Sequence, residues 1–136
     1  MTSEPVTFEA LRGQTLTAIT VNDDRDEVLL TTTTGRVYRL AHAQECCERV
    51  YLEDVCGDLL DLIGTPILLA EVVSNCEEPT PTVEGFDSYC SFTWTFYKLA
   101  TIRGSVTLRW LGISNGCYSE QADFALVVAE VPEVAP

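Results

Sequence analysis

Hydrophobic and polar residues alternate along most of this chain, with the two-residue period of an extended strand. The first clear run covers residues 15–21, where Leu16, Ala18 and Thr20 are predicted to share one face. Clusters of turn-forming residues separate it from later runs of the same character. Further strands are predicted at residues 27–32, 36–41, 47–54, 67–75, 91–101 and 105–113, and one more after Asn115-Gly116, so that 90–128 forms a second meander.

Two short segments have helical rather than alternating spacing. Residues 58–63 are too few for an independent helix, and they end at Gly64, just before the helix breaker Pro66. Residues 8–12, which precede Gly13, are long enough for one turn. The sequence therefore predicts helical turns and no long helix.

The whole chain, residues 1–136, has the length of one domain. Residues 76–89 carry two prolines, a glycine and four acids without periodicity, which predicts a long flexible loop, and the tail at 129–136 is expected to fray. The predicted fold belongs to the mainly β class, close to the boundary with the α+β class. It is a twisted antiparallel sheet or partly open barrel of seven or eight strands with one or two short helical turns.

The charge of the chain excludes two classes of partner. Its 21 acidic and 8 basic residues give a net charge of −13, which repels the phosphates of nucleic acids and anionic membrane surfaces. The N-terminus has no export signal, and no apolar run approaches the roughly 20 residues of a membrane span. We therefore expect a cytoplasmic protein whose six cysteines are free thiols.

The most reactive side chains lie around the only histidine, His42, which comes four residues before the vicinal pair Cys46 and Cys47. Imidazole and thiolate are ligands that zinc prefers, and Cys56 is a further candidate ligand. The same groups suit a cysteine nucleophile, either Cys46 or Cys47, with His42 as its base and Glu48 or Asp54 orienting the ring. In a third, structural interpretation, one cysteine is buried while its neighbour and the histidine make local hydrogen bonds.

Three carboxylates, Asp54, Asp58 and Asp61, lie within eight residues of each other. Such acids are able to hold magnesium or to divide general acid and base roles. Asp58 also stands where an N-cap residue would accept hydrogen bonds from the first amides of the short helical turn, and capping is the interpretation we favour.

The strand at 91–101 places Phe92, Trp94 and Phe96 on one face, which we expect to be the core. The following hairpin is predicted to bring Arg109 close to Glu120, so that the two pair diagonally across the strands. Arginine and aromatic residues are also common in binding surfaces.

Two sequence blocks resemble a family of domains of unknown function that bacteriophages and bacteria carry. The first runs from His42 to Glu71 and contains His-Ala-Gln-Glu-Cys-Cys-Glu and Gly-Asp-Leu-Leu-Asp-Leu-Ile-Gly. The second runs from Arg109 to Glu120 and reads Arg-Trp-Leu-Gly-Ile-Ser-Asn-Gly-Cys-Tyr-Ser-Glu. The likeness covers most of residues 11–124, and it implies a phage or prophage setting and an accessory function.

We therefore expect a binding protein for a host protein or a small molecule, with no cofactor and no resident metal. Two alternatives stay open: a metal-binding or cysteine-dependent enzyme centred on His42, Cys46 and Cys47, and an acidic nucleic-acid mimic or phage particle component. The net charge of −10 over residues 45–87 favours the mimic. The candidate binding residues are His42, Gln44, Cys46, Glu48, Asp58, Arg109, Trp110, Asn115, Tyr118 and Glu120.

Overall fold

The computed structural model describes residues 2–43, 47–75, 91–114 and 120–128. The predicted loop at 76–89 and the predicted tail at 129–136 lie outside these ranges. The strands are β1 (Thr2–Pro5), β2 (Leu16–Val21), β3 (Glu27–Thr32), β4 (Val37–Ala41), β5 (Arg49–Cys56), β6 (Leu69–Asn75), β7 (Ser91–Thr101), β8 (Gly104–Ser114) and β9 (Asp123–Val128), with 3₁₀ turns η1 (Phe8–Leu11) and η2 (Leu59–Leu62). The mainly β class and both short helical turns are confirmed. Within the described ranges, no helix has the length and apolar character needed to cross a membrane.

The strands form two open antiparallel sheets. The five-stranded sheet has the order β1-β9-β4-β3-β2, and the four-stranded sheet has the order β5-β8-β7-β6. The predicted meander of β2, β3 and β4 and the β7–β8 hairpin are confirmed. The prediction that β9 continues the second meander is wrong, because β9 leaves β8 and inserts between β1 and β4 in the other sheet.

The inner faces of both sheets enclose one hydrophobic core. Phe8 of η1 lies between them, with its ring centroid 5.2 Å from that of Tyr97 and 5.1 Å from that of Phe124, in edge-to-face contacts. Tyr38 stacks on Phe124 at 5.4 Å. These aromatic contacts hold the five-stranded sheet against the four-stranded sheet.

A β-bulge in β2 overturns part of the predicted strand pattern. Leu16 pairs with Thr32 and Ala18 with Thr31, so the strand has one extra residue between them. The bulge reverses the alternation, so that Leu16 and Ile19 face the core while Ala18 is exposed. The prediction that Leu16 and Ala18 share one face is therefore wrong.

The prediction that Phe92, Trp94 and Phe96 share one face is confirmed, but that face is not the one that meets the main core. In β7 the residues that face the inner core are Tyr97 and Leu99, so the three even-numbered aromatics lie on the outer face of the sheet. Phe92 is nevertheless buried, because it joins a second small hydrophobic cluster on that outer face. Both faces of β7 carry apolar side chains, so alternation alone did not identify the inner one.

Candidate functional site

His42 and Glu48 meet at the start of the connection between the two sheets. His42 follows the last residue of β4, and Glu48 precedes the first residue of β5. Their side chains are only 4% and 0% exposed, and the Nε2 atom of His42 lies 2.7 Å from the Oε2 atom of Glu48. The structure therefore brings together two of the predicted site residues. Gln44 and Cys46 lie outside the described residues.

The hydrogen bond at the second ring nitrogen of His42, Nδ1, shows that this nitrogen carries a hydrogen. Nδ1 lies 3.0 Å from the backbone oxygen of Gln121, and a carbonyl oxygen only accepts hydrogen bonds, so Nδ1 carries a hydrogen. The pair of Nε2 and the Glu48 carboxyl then shares one further proton, either as an ion pair or as a neutral pair. Both ring nitrogens are engaged, so the buried imidazole links the two sheets through its hydrogen bonds.

The described cysteines differ from the expectation of six free thiols. Cys47 is disulfide-bonded, and its partner is not Cys56, which is a free and exposed thiol. The expectation is therefore wrong at Cys47. A sulfur in a disulfide has no thiolate to attack a substrate or to bind zinc. Across the described part of the chain, no three His, Cys, Asp or Glu side chains are grouped so that they could hold a metal ion.

The carboxylate of Glu120 accepts hydrogen bonds from three hydroxyl groups. It lies at the same end of the space between the sheets as His42 and Glu48. Its Oε1 atom accepts hydrogen bonds from Ser91 (3.2 Å) and Thr93 (2.8 Å), and its Oε2 atom accepts one from Ser114 (2.6 Å). Ser91 and Thr93 are on β7 and Ser114 ends β8, so the carboxylate bridges the two central strands of the four-stranded sheet. The β5–β8 register, continued by one residue, places Glu48 beside Ser114.

Gly112 is a structural part of this arrangement that the sequence reading missed. A Cβ atom added at Gly112 would collide with the backbone carbonyl of Glu120 and lie 2.6 Å from its Cβ atom. The chain therefore crosses β8 so closely at this point that no side chain fits. A glycine inside a strand pattern is a signal for such a close approach.

Arg109 lies on the opposite, outer face of the four-stranded sheet. A β-bulge at Glu53 places both Glu53 and Asp54 against it, with its Nε atom 2.6 Å from Glu53 and its terminal nitrogen 3.6 Å from Asp54. Its guanidinium carbon is 5.4 Å from the centroid of the Trp94 ring. The hydrogen bond that Arg109 donates to Glu53 raises the pKa of Arg109, partial burial opposes the rise, and the nearby negative charges add to it. The predicted pairing of Arg109 with Glu120 is therefore wrong, because these residues lie on opposite faces of the sheet.

Trp110 is the largest fully buried side chain, and its indole nitrogen has no hydrogen-bond partner in the described part of the chain. Thr95, which is its register partner on β7, has a buried hydroxyl that likewise has no hydrogen-bond partner in the described part of the chain. Trp110 is thus a core residue on the inner face. Asp58 lies at the far end of the sheet, where it accepts a hydrogen bond from the Leu60 amide at 2.9 Å and so confirms its predicted capping role.

The candidate residues thus occupy separate places in the fold. His42, Glu48 and Glu120 lie at one end of the space between the sheets, whereas Arg109 is on the outer face and Asp58 is at the other end of β8. Asn115 and Tyr118 lie outside the described residues.

One family model matches most of this chain. The family described as a domain of unknown function, DUF7448, matches residues 9–124, which is most of the chain. No curated protein matches the sequence, and no solved structure matches it.

Proposed function

This chain belongs to the DUF7448 family of domains of unknown function, and from its surfaces we propose that it is an accessory binding protein rather than an enzyme. The observation that carries the proposal is the arginine-aromatic surface on the outer face of the four-stranded sheet. We define this surface by Arg49, Tyr51, Trp94, Phe96 and Arg109.

The outer face of an open antiparallel sheet is usually polar, because it meets water. Here it carries two arginines placed over aromatic rings, Arg49 at 4.2 Å from the Tyr51 centroid and Arg109 at 5.4 Å from that of Trp94. Tryptophan, tyrosine and arginine dominate the energetics of protein interfaces. The composition of this surface therefore favours binding.

Arg109 is held in place before any partner arrives. Glu53 bonds both its Nε atom and a terminal nitrogen, and Trp94 lies under the guanidinium. A side chain that is already ordered loses less conformational entropy on binding, so the same contacts give a higher affinity. The surface extends over three neighbouring strands, β5, β8 and β7, which suits a protein partner better than a small molecule, because small molecules bind in concave sites.

Two contacts support binding over catalysis. The His42 imidazole has both nitrogens engaged in a buried link, and Cys47 is committed to a disulfide. His42 and Cys47, two of the residues that a cysteine-dependent enzyme would use, are thus occupied in structural bonds. The net charge of −13 also favours a protein over a nucleic acid as the partner.

The proposal sets this domain in a phage or prophage, acting on a protein in the cytoplasm of the bacterial host. The Cys47 disulfide argues against that compartment, because the cytosol keeps most thiols reduced. Alkylation of intact cells before lysis tests whether Cys47 is a free thiol, as the cytoplasm would keep it, or is in a disulfide. Labelling at Cys56 alone would show that the Cys47 disulfide forms in the cell and would contradict the cytoplasmic setting, whereas labelling at both cysteines would support that setting and remove the disulfide from the argument against catalysis.

The binding role is tested with Arg109→Lys and a matched control, Arg39→Lys. Arg39 is also bonded to a glutamate at 2.6 Å, that of Glu27, but it lies on the other sheet. Both variants keep the charge and lose the planar guanidinium. The wild type and both variants are used to capture proteins from bacterial host lysate, and binding to the captured protein is then measured by calorimetry.

We expect Arg109→Lys to weaken binding of the captured protein by roughly tenfold, which corresponds to about 1.4 kcal/mol, and Arg39→Lys to leave it unchanged. Trp94→Ala should weaken the same binding. If no captured protein distinguishes Arg109→Lys from Arg39→Lys, the arginine-aromatic surface is not a binding surface.

A further inference from the structure

Two buried polar groups lie next to each other in the core, and neither has a hydrogen-bond partner in the described part of the chain. They are the indole Nε1 atom of Trp110 on β8 and the hydroxyl group of Thr95 on β7. Trp110 is 1% exposed and Thr95 is 2% exposed. A buried donor without a partner costs about as much free energy as a lost hydrogen bond, so native proteins rarely leave one unpaired.

The two groups face the same space. Thr95 and Trp110 are directly opposite each other in the β7–β8 register, which continues without a shift. Side chains of directly opposite residues project from the same face of a sheet, with Cβ atoms about 4.5–5.5 Å apart. Tyr97, two residues along β7, shares this inner face, and its ring meets that of Trp110 edge-on with centroids 6.5 Å apart. Its hydroxyl donates to the backbone oxygen of Ala122 at 3.3 Å, and a hydroxyl oxygen also accepts hydrogen bonds.

We propose that Trp110 and Thr95 bind one buried water molecule between them. The water accepts a hydrogen bond from the indole N–H of Trp110 and donates one to the hydroxyl of Thr95. The hydroxyl oxygen of Tyr97 is the candidate acceptor for its remaining hydrogen, since buried waters in proteins make about three hydrogen bonds. This site does not depend on the proposed binding role, because it lies on the inner face of the sheet and the arginine-aromatic surface lies on the outer face.

The chemistry of the two groups favours water over an ion. An indole N–H only donates hydrogen bonds, so it does not suit a cation. An anion would accept from both groups, but the carboxylate of Glu120 is close by. It accepts a hydrogen bond from Thr93, which is two residues, or about 7 Å, from Thr95 along β7. A second negative charge so near is unfavourable in the low dielectric of a protein interior. Water is neutral, and it both donates and accepts.

A row of hydroxyl groups connects this position to the solvent. Ser91, Thr93 and Thr95 follow each other at intervals of two on the inner face of β7. Ser91 is exposed, and the first two hydroxyls bond to Glu120. The proposed water therefore extends a polar row that begins at the surface by one step into the core, and the row gives the water a path for exchange with the solvent.

The direct test is a nuclear Overhauser effect between water and the indole Hε1 proton of Trp110 in the folded, whole chain. Trp94→Phe identifies which of the two indole signals belongs to Trp110. We expect a cross-peak with the sign of dipolar contact with a long-lived water, opposite to the sign of proton exchange. The cross-peak should become severalfold weaker in Thr95→Val, because the water then loses one of its partners, and it should persist in Thr95→Ser, which keeps the hydroxyl.

The effect of Thr95→Val on stability has a sign that tests the same site. Valine is close to threonine in shape and lacks the hydroxyl. If the hydroxyl binds water, the change should lower the equilibrium constant for folding by roughly fivefold, whereas removal of a hydroxyl without a partner would raise it. Thr101→Val is the matched control. The Thr101 hydroxyl donates to the backbone oxygen of Asp61 and accepts from the Arg103 amide, so its loss should be destabilising.

Four results would overturn the proposal. The first is a wild-type protein without the water cross-peak, a measurement that needs no substitution at the site and so decides the question even if a variant does not fold. The second is a cross-peak that Thr95→Val leaves unchanged. The third is a gain of stability in Thr95→Val beside a loss in Thr101→Val. The last is a shift of the Trp110 indole signal when sodium chloride replaces sodium fluoride at constant ionic strength, which would identify a chloride ion in place of water.

Discussion

His42 and Glu48 form a buried bridge between the two sheets, with their side chains 2.7 Å apart. Removing one member of a buried pair leaves the other without its partner, at a cost of about 3–5 kcal/mol. We expect His42→Ala and Glu48→Ala each to lower the free energy of unfolding by that amount. The double variant should cost less than the sum of the two, because the interaction that each single variant removes is then lost only once. Urea denaturation of the four proteins measures this, and additive losses would contradict a direct interaction.

The two tryptophans should differ in their contribution to stability. Trp110 is 1% exposed in the inner core, whereas Trp94 is only half-buried on the outer face. Truncating a large buried aromatic costs about 3–5 kcal/mol, so Trp110→Ala is expected to lose that much and Trp94→Ala clearly less. The midpoints of chemical denaturation compare them directly. Equal midpoints would show that the outer hydrophobic cluster is as important as the core.

Gly112→Ala should be costly although it adds one methyl group. The new Cβ atom would meet the backbone of Glu120, which cannot move aside without disturbing the three hydroxyl bonds of its carboxylate. Overpacking of this kind costs about 1–3 kcal/mol. Gly104→Ala is the matched control, because there the Cβ atom meets the tip of the Asp61 side chain, which can rotate away. Thermal or urea unfolding that ranks Gly104→Ala as the more destabilising change would argue against the close crossing.

Tyr97 should make the protein less stable at alkaline pH. Burial raises its pKa well above the usual range, and the negative charge of Asp123 adds to the rise. The unfolded chain therefore loses this proton near pH 10 while the folded chain keeps it, so stability falls as pH rises above about 10. The fall from this one group is about 1.4 kcal/mol per pH unit. The difference in urea midpoint between the wild type and Tyr97→Phe should be smaller at pH 11 than at pH 8. If the midpoints of the two proteins change in parallel with pH, Tyr97 is not the group responsible.

Alternating patterns predicted most strands of this fold because each strand is long enough to show its period. The bounds of β7 match the prediction, and β3 matches as well. β1 was missed because four residues, one of them Pro5, carry no pattern of their own, and it forms only by pairing with β9. Such pairing between distant segments has no local signal.

The orientation of the strands was harder to predict than their existence. The bulge in β2 reversed which residues are buried, and the apolar residues on both faces of β7 concealed the inner one. A single extra residue changes the face of every residue that follows it. The prediction of the candidate site failed for the same reason. Arg109 and Glu120 were predicted to lie on one face of the sheet, but they lie on opposite faces.

The position of β9 has a consequence for the order in which the molecule can be completed during synthesis. The four-stranded sheet is built from residues 49–114, a stretch that leaves the ribosome before β9 does. The five-stranded sheet contains strands from residue 2 onward, yet β1 and β4 gain their common neighbour only when residues 123–128 emerge. Until then one edge of β4 is unpaired in the nascent chain. β4 itself carries the core side chains Tyr38 and Leu40. β9 therefore joins β1 to the rest of the five-stranded sheet, and a ribosome-bound chain that stops short of residue 123 keeps one edge of β4 unpaired.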